Sequence, residues 1–227
     1  MTRPPRVGLL GGTFDPIHEG HVRAAVAVRD ALTLDRVVLI PSNVPPHRPV
    51  QPRASGFHRF AMAAMAAQGH PALEASDLEL RASGPSYTVT TLSRFHEEGL
   101  AASQLFFVIG VDAFAEIATW RHYPALLDAA HFVVVSRPGH DHEGASARVP
   151  GLQSRIVDLR GAASFTSLPA TPSVIFLEAD TPDVSSTLVR RRLAGGLPIG
   201  DLVPAAVRQH IERHHLYQPP PGGSPLA

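Results

Sequence analysis

Short apolar runs alternate with amphipathic stretches along most of the chain. The runs at 7–10, 37–40, 105–109, 132–135 and 174–177 are four or five residues long and almost wholly apolar. Such runs are typical of strands that are buried on both faces of a sheet. Because helical patterns separate them, the sequence predicts an α/β fold with a doubly wound parallel sheet.

The stretches between the runs carry apolar residues at helical spacing. We predict helices at 20–32, 58–67, 87–98, 186–194 and 204–214, and a broken helical stretch over 112–128. Residues 73–80 are compatible with one or two further strands, and the Pro-rich segment 42–56 predicts a loop.

The length of 227 residues suits a single domain. We predict one domain over 1–217, whose last helices form a C-terminal subregion. The Pro- and Gly-rich tail 218–227 is expected to be disordered. Two polar or small-residue insertions, 140–148 and 161–173, are expected to be mobile surface loops.

Composition excludes several kinds of chemistry. All 20 basic residues are Arg and balance 20 acidic residues, so the formal net charge is zero. The absence of Lys excludes a lysine Schiff base or a P-loop lysine, and the absence of Cys excludes disulfides and thiol nucleophiles. A neutral chain predicts no general affinity for nucleic acid or a membrane surface. We expect a cytoplasmic protein, and a homo-oligomer is possible.

A Gly- and His-rich motif, G-G-T-F-D-P-I-H-E-G-H, follows the first predicted strand. The carboxyl edge of a doubly wound sheet is where ligands bind, and the helix that opens at Gly20 offers N–H groups to an anion. His18 and His21 are three residues apart and share a face of the first helical turn. Two imidazoles there can donate hydrogen bonds to phosphate, although capping or packing is the alternative.

A second motif, D-V-S-S-T-L-V-R, follows the last predicted strand and starts a helix. Its hydroxyl residues are good N-caps and can form a second anion site. Arg190 lies about one turn after Ser186 and Thr187, so it can face the same phosphates. Serines of this kind are ordinary caps when they stand alone, and the first motif is what favours the phosphate site.

Together these motifs resemble the two signatures of the H-x-G-H nucleotidyltransferase superfamily. Further stretches are similar to bacterial nicotinate-nucleotide adenylyltransferases. They are P-S-N-V-P-P-H at 41–47, Arg59 with Met62, G-P-S-Y-T at 84–88, G-V-D at 110–112, Trp120, R-P-G at 137–139, and L-V-P at 202–204 with Val207, Ile211, His214, Leu216 and Tyr217. The resemblance therefore extends from Val7 to Tyr217.

The resemblance implies a Rossmann-like nucleotidyltransferase fold. It implies the transfer of AMP from ATP to nicotinate mononucleotide, which gives deamido-NAD and pyrophosphate, with Mg²⁺ carried by ATP and no metal ligands from the protein. The implied catalytic residues are His18, His21 and Arg190. The implied ATP site consists of Gly11, Thr13, Phe14, His18, His21, Ser186, Thr187 and Arg190.

The resemblance also implies a mononucleotide site made of Tyr87, Thr88, Asp112, Trp120 and Arg48. Trp120 would stack on the pyridine ring, and Tyr87 and Thr88 would offer donors to the carboxylate. The family usually has Lys at the position of Arg48. Arginine keeps the charge, but its guanidinium is planar and forked rather than a point donor.

Three alternatives remain open from the sequence. Trp120 could be a core aromatic, Asp112 a helix cap, and Arg137 a structural residue or a phosphate contact. The acceptor could be phosphopantetheine or nicotinamide mononucleotide, although His18 counts against phosphopantetheine because those enzymes usually have Thr there. The chain could also be a nucleotide-binding regulator without catalysis.

Overall fold

The computed structural model describes residues 3–45, 51–137, 151–160 and 168–218. The strands are β1 Val7–Gly12, β2 Arg36–Pro41, β3 Leu73–Ala75, β4 Leu105–Gly110, β5 His131–Ser136, β6 Ile156–Asp158 and β7 Val174–Glu178. The helices are α1 Glu19–Leu32, α2 Gly56–Gln68, α3 Thr88–Glu97, α4 Val111–Ala115, α5 Ser186–Ala194 and α6 Ala205–Arg213. Short 3₁₀ turns lie at Ala102–Gln104, Ile117–Thr119, Ala125–Asp128 and Gln153–Arg155.

The seven described strands form one parallel sheet in the order β3-β2-β1-β4-β5-β7-β6. The chain runs outward from β1 to β3 and then returns to β4, on the other side of β1. The strand order therefore reverses between β1 and β4, and the loops that leave these strands flank a crevice at the carboxyl edge. This architecture confirms the predicted doubly wound sheet.

The core has one apolar layer on each face of the sheet. One layer joins α1, α2, α5 and α6 to strand residues such as Leu39, Val108 and Ile175. The other joins α3 and α4 to Leu9, Phe107 and other residues of the opposite strand faces. Alternate strand residues point into opposite layers, which explains why the central strands are apolar without interruption.

Two edge strands differ from the sequence interpretation. The strand expected within 73–80 stops at Ala75, because the backbone then turns and Ser76 Oγ accepts a hydrogen bond from the Leu78 N–H at 3.2 Å. The three-residue strand β6 at the opposite edge gives no pattern that distinguishes it from a loop. Short edge strands are half solvated, so neither alternation nor a long apolar run marks them.

Part of the second predicted surface loop belongs to the core. Leu168 packs against the first apolar layer, and Ser173 is buried and donates its N–H to His131 Nδ1 at 3.2 Å. Residues 140–148, 161–167 and 219–227 lie outside the described residues, so those predictions stay untested. None of the helices in the described ranges is both long and apolar enough to cross a bilayer.

Candidate active site

The loop after β1 brings two histidines into contact. His18 is the N-cap of α1 with an extended backbone, and its ring stacks on that of His21 with centroids 3.7 Å apart. The His18 N–H donates to His21 Nδ1 at 3.3 Å, so the neutral form of His21 carries its ring proton on Nε2. A Cβ at Gly20 would lie 3.1 Å from His18 Nδ1 and 3.2 Å from Val184 Cγ1. Because Gly20 has no side chain, the His18 ring and the Val184 side chain can both lie close to its backbone.

His18 is an electrically neutral imidazole at physiological pH. The ring is 8% exposed, and its Nδ1 makes no hydrogen bond with any described residue. Burial, assisted by the charge of Arg137, lowers the pKa of His18 to about 4. His18 therefore offers a ring N–H as a neutral donor and does not add a positive charge to the site.

Because His18 and His131 are buried with lowered pKa values, we predict that the free energy of unfolding falls in mild acid. His131 is fully buried and stacks on Phe106, and burial lowers its pKa to about 4, as for His18. Unfolded histidine titrates near 6.5, so between pH 6.5 and 4 the unfolded chain binds protons that the folded chain refuses. We expect urea unfolding to give a constant free energy from these groups above pH 6.5. Below pH 6.5, each of the two histidines should lower the free energy of unfolding by roughly 1.4 kcal/mol per pH unit.

The control for this prediction is a pair of substitutions. His131→Asn removes one of the two titrating rings, and should reduce the slope between pH 6.5 and 5 by about one proton. His122→Asn replaces an exposed histidine in the left-handed region, which Asn tolerates, and should leave the slope unchanged. A free energy of unfolding that stays constant down to pH 5 would contradict the lowered pKa values.

The start of α5 meets the loop after β1. Ser186 Oγ donates to the Pro16 carbonyl at 2.9 Å, and Arg190 Nη1 donates to the Asp15 carbonyl at 2.6 Å. Arg190 Nη2 also donates to Thr187 Oγ1 at 3.2 Å. The two sequence motifs, about 170 residues apart along the chain, are thus joined into one surface.

The backbone donors of the two helices differ from the sequence expectation. At α1 the N–H of Glu19 donates to the Leu202 carbonyl at 2.9 Å, so this group does not point to a ligand. At α5 the N-cap is Ser185, whose Oγ accepts from the Leu188 N–H at 3.1 Å. The N–H groups of Ser186 and Thr187 make no hydrogen bond with the rest of the described chain. Among the described residues, backbone N–H groups without a hydrogen bond therefore remain at α5, at Ser186 and Thr187, and at α1 in Gly20.

A buried network beneath the loop was not predicted from the sequence. Asp15 is 4% exposed and accepts from the N–H groups of Arg53 and Ala54 and from the Tyr217 hydroxyl at 2.8–3.0 Å. Arg59 is 2% exposed and donates to the carbonyls of Thr13, Ser42 and Ala54 at 2.6–3.3 Å. These groups fix the backbone of the histidine loop from below.

The pKa values of the same groups reflect their burial. Burial lowers the pKa of Arg59, although the neighbouring Asp15 opposes the shift. Burial and the Asp15 carboxylate raise the pKa of Tyr217, so the phenol stays protonated and donates. The only sequence signal for this network was a single Arg at position 59 within an Ala- and Met-rich helix.

Of the loop residues expected near ATP, three have largely internal contacts. Phe14 is 1% exposed with φ 49°, and its ring meets that of His21 edge-on at 5.0 Å. A Cβ at Gly12 would lie 2.8 Å from the Phe14 ring, so only glycine lets the loop fold back this closely. Thr13 uses its carbonyl to hold Arg59, and Gly11 is half-buried at the end of β1. Phe14 supports His21 from behind.

The described residues that the sequence predicts for the mononucleotide site lie at the start of α3 and in the segment that follows β4. Tyr87 is the N-cap of α3 and Thr88 its first residue, and both are half-buried. The Arg121 guanidinium lies over the Tyr87 ring at 4.9 Å, which places the segment of Trp120 beside them. Trp120 is half-buried and packs against the second apolar layer.

Phe107 of β4 connects the two groups of residues. Its ring meets Trp120 edge-on with centroids 6.2 Å apart, and it lies 3.6 Å from where a Cβ at Gly11 would be. Asp112 follows β4 in the first turn of α4 and is exposed at the same edge. Gly11 and Trp120 therefore lie on either side of the Phe107 ring, and Asp112 lies at the same carboxyl edge of the sheet.

Arg137 and Arg48 are two further arginines that the sequence analysis singled out. Arg137, which follows β5, forms an ion pair with Asp183 just before α5, so it braces the second motif. Arg48 lies outside the described residues, so its role stays a prediction. Five residues before it, the Asn43 N–H donates to Ser86 Oγ at 2.8 Å.

Comparison with known proteins identifies the family. Residues 9–192 match the family model described as cytidylyltransferase-like. A probable nicotinate-nucleotide adenylyltransferase of Desulfatibacillum aliphaticivorans is 40% identical over 93% of this chain and 99% of that protein. A protein of the same description from Roseiflexus sp. (strain RS-1) is 42% identical over 93% of this chain and 98% of its own length.

Solved structures agree on the fold. The Plasmodium falciparum nicotinic acid mononucleotide adenylyltransferase complexed with NaAD has a TM-score of 0.67 and 16% identity, over 94% of this chain and 98% of that one. A putative nicotinate-nucleotide adenylyltransferase of Vibrio parahaemolyticus has a TM-score of 0.55 and 18% identity, over 94% and 96%. The chain belongs to the cytidylyltransferase-like family and, within it, to the nicotinate-nucleotide adenylyltransferases.

Proposed function

We propose that the protein transfers AMP from ATP to nicotinate mononucleotide, forming deamido-NAD and pyrophosphate in NAD biosynthesis. The observation that carries this proposal is the stacked His18–His21 pair, held against the start of α5 by Arg190. Family membership supports the same reaction, because relatives that are 40% and 42% identical are described as probable nicotinate-nucleotide adenylyltransferases.

The reaction needs positioning and charge stabilisation more than acid–base chemistry. A 5′-phosphate has a second pKa near 6, so the attacking oxygen is already anionic at neutral pH. That oxygen forms a bond to the α-phosphorus of ATP while the bond to the α,β-bridging oxygen breaks, and pyrophosphate leaves with the electron pair. Consistent with this, the geometry does not require a protein nucleophile or a general base.

The proposed phosphate site stabilises the charge that develops during transfer. His18 supplies a neutral ring N–H donor, and His21 supplies a ring N–H donor at Nε2. Arg190 supplies a cation, and Ser186 and Thr187 supply backbone donors at the start of α5. These groups are held in place by the loop network before ATP binds, so little reorganisation is needed in the transition state. Arg190 would exchange its contact with the Asp15 carbonyl for phosphate oxygen.

The divalent metal enters as part of the substrate. Nucleotidyltransferases of this family use a divalent ion with ATP, and we propose Mg²⁺. Mg²⁺ prefers carboxylate, phosphate and water oxygens. The buried carboxylate of the loop, Asp15, is occupied by the donors of Arg53, Ala54 and Tyr217. The triphosphate oxygens are therefore the proposed ligands, and MgATP is the proposed substrate.

The acceptor site is proposed around α3 and Trp120. Tyr87 and Thr88 occupy the start of α3, where N–H groups and a helix dipole favour a carboxylate. Arg121 adds a positive charge over the Tyr87 ring at 4.9 Å. These features favour nicotinate over nicotinamide mononucleotide, whose amide carries no charge. Asp112 is proposed to contact ribose.

The identity of the acceptor is tested by competition between the two mononucleotides. With MgATP and equal concentrations of both, we expect mostly deamido-NAD. Arg121→Gln removes the charge beside Tyr87, and should reduce the preference for the acid. Equal amounts of the two dinucleotides from the wild-type protein would contradict the acceptor assignment while leaving adenylyl transfer intact.

Trp120→Ala is expected to raise KM for the mononucleotide by about 5- to 150-fold and KM for ATP by less than twofold, because stacking on an aromatic ring contributes roughly 1–3 kcal/mol per base. The measurement is steady-state kinetics with each substrate varied in turn. Phe57→Ala, which removes an aromatic side chain that is 89% exposed on α2, should change neither value. Equal increases in both KM values would contradict a stacking role for Trp120.

Two broader statements belong to the same proposal. We propose that residues 1–217 act as one nucleotidyltransferase domain, and that the protein works in the cytoplasm without nucleic acid. Gel filtration with light scattering would measure whether it forms a homo-oligomer, which the sequence leaves open.

A further inference from the structure

Three histidines converge on the side of the molecule where α6 packs on α2. His58 lies in the first turn of α2, His210 in α6 and His214 at the C-cap of α6. Their candidate ligand nitrogens all lie within 4.8 Å of one another, and His58 Nδ1 is 3.0 Å from His210 Nε2. His214 is exposed at the edge of the cluster.

We propose that His58, His210 and His214 bind one divalent transition-metal ion of the zinc class, and that this ion ties α6 to α2. Nothing in the adenylyl-transfer chemistry calls for this site, and the proposal does not rest on the proposed function. Three imidazoles are ligands that Zn²⁺, Cu²⁺ and Ni²⁺ favour, whereas Mg²⁺ and Ca²⁺ favour oxygen.

The geometry is close to what zinc requires. Zinc–imidazole bonds of 2.0–2.1 Å in a tetrahedral site place the ligand nitrogens about 3.3–3.4 Å apart. The His58–His210 pair is within a few tenths of an ångström of that separation. His210 and His214 are four residues apart on one helical face, a spacing that suits two ligands of one ion. The exposed His214 ring can rotate to shorten the longer separations, and water can fill the fourth position.

The surroundings of His210 also favour its neutral ring. Burial, together with the neighbouring His214, His58 and Arg213, lowers the pKa of His210. The His210 ring is therefore neutral at physiological pH and can present a lone pair to a metal. Without an ion, the close His58–His210 contact is a single hydrogen bond between two imidazoles, and the His214 ring only packs against the other two.

The position of the cluster gives the ion a mechanical role. The residues before α2, Arg53 and Ala54, donate to Asp15, and Tyr217 just after α6 donates to the same carboxylate. An ion that joins α2 to α6 would hold both sets of donors around Asp15. Metal binding should therefore stabilise the C-terminal segment against the histidine loop.

The test is a Zn²⁺ titration of the purified chain without nucleotide, followed by competition with a chromogenic chelator. We expect one ion per chain in the wild type. His58→Asn, His210→Asn and His214→Asn should each weaken Zn²⁺ binding by about 100-fold or more, since each removes a ligand rather than a supporting group, for which 10–100-fold is usual. His215→Asn is the matched control: His215 is adjacent, exposed and at φ 49°, which Asn tolerates, and binding should be unchanged.

Two further measurements separate this site from others. Zn²⁺ should raise the Tm of the wild type and of His215→Asn, but not of His58→Asn/His210→Asn, whereas Mg²⁺ should raise none of them. Because His214 is exposed, His214→Asn should not unfold the chain, so the test does not depend on the half-buried pair His58 and His210. A loss of binding in His18→Asn, an equal loss in His215→Asn, or wild-type binding no tighter than that of the double variant would overturn the proposal.

Discussion

Replacing His18 by alanine is expected to lower kcat for adenylyl transfer by about 100- to 1,000-fold, the usual cost of removing one preorganised donor from a site of developing charge. His18 suits this role because its ring is buried, neutral and stacked on His21 at 3.7 Å. The KM for ATP should change much less than kcat, because the donor is proposed to strengthen its bond in the transition state. Single-turnover kinetics with saturating substrates measure the effect on chemistry directly.

The pH dependence sharpens the same prediction. Since the pKa of His18 is about 4, its protonation state does not change between pH 6 and 8, and kcat should show no step from this group there. His122→Ala, which removes an exposed histidine, should have wild-type kinetics. A His18→Ala variant with a kcat within threefold of the wild type would contradict the assigned role, although nucleotide binding could persist.

Arg59→Met is expected to reduce the free energy of unfolding by about 3–5 kcal/mol, because each buried carbonyl left without its donor costs about 1–3 kcal/mol. Three carbonyls lose their donor, and the Asp15 carboxylate loses the neighbouring positive charge. For a domain of this size the Tm should fall by about 6–20 °C. Urea unfolding monitored by circular dichroism measures the change.

The matched control is Arg53→Met. The side chain of Arg53 is exposed, and only its backbone N–H serves Asp15, so this substitution should cost less than about 0.5 kcal/mol. Comparable losses in the two variants would show that the guanidinium of Arg59 does not stabilise the loop. Arg59 also holds the carbonyl of Thr13 in the histidine loop, so the Arg59→Met variant should lose activity as well as stability. The activity of that variant is therefore measured per folded molecule.

The central sheet could be predicted because its strands are buried on both faces. Runs such as 105–109 are apolar throughout, and Gly or Pro marks where several of them end. The edge strand β6 could not be predicted in this way, because a three-residue strand with one partner leaves no periodic signal. The end of β3 at Ala75 depends on a side-chain turn at Ser76, which competes locally with strand pairing.

The candidate site was predictable where its residues are close together in sequence. His18 and His21 are three residues apart at the start of one helix, so their proximity could be predicted from spacing, whereas the stacking of their rings is seen only in the structure. The Asp15–Tyr217 hydrogen bond joins residues that are 202 positions apart, and the His58–His210 contact joins residues that are 152 positions apart. Only the packing of α6 on α2 brings them together, and no local pattern encodes that contact.

The most direct test of the account follows the α-phosphate of ATP. The purified chain is given MgATP labelled at the α-phosphorus and nicotinate mononucleotide, in a single turnover, and the products are separated. The account predicts that the label moves into deamido-NAD, with one pyrophosphate released per dinucleotide, and that His18→Ala slows this transfer. Label that appears only as free AMP, or no dinucleotide from either pyridine mononucleotide, would contradict it.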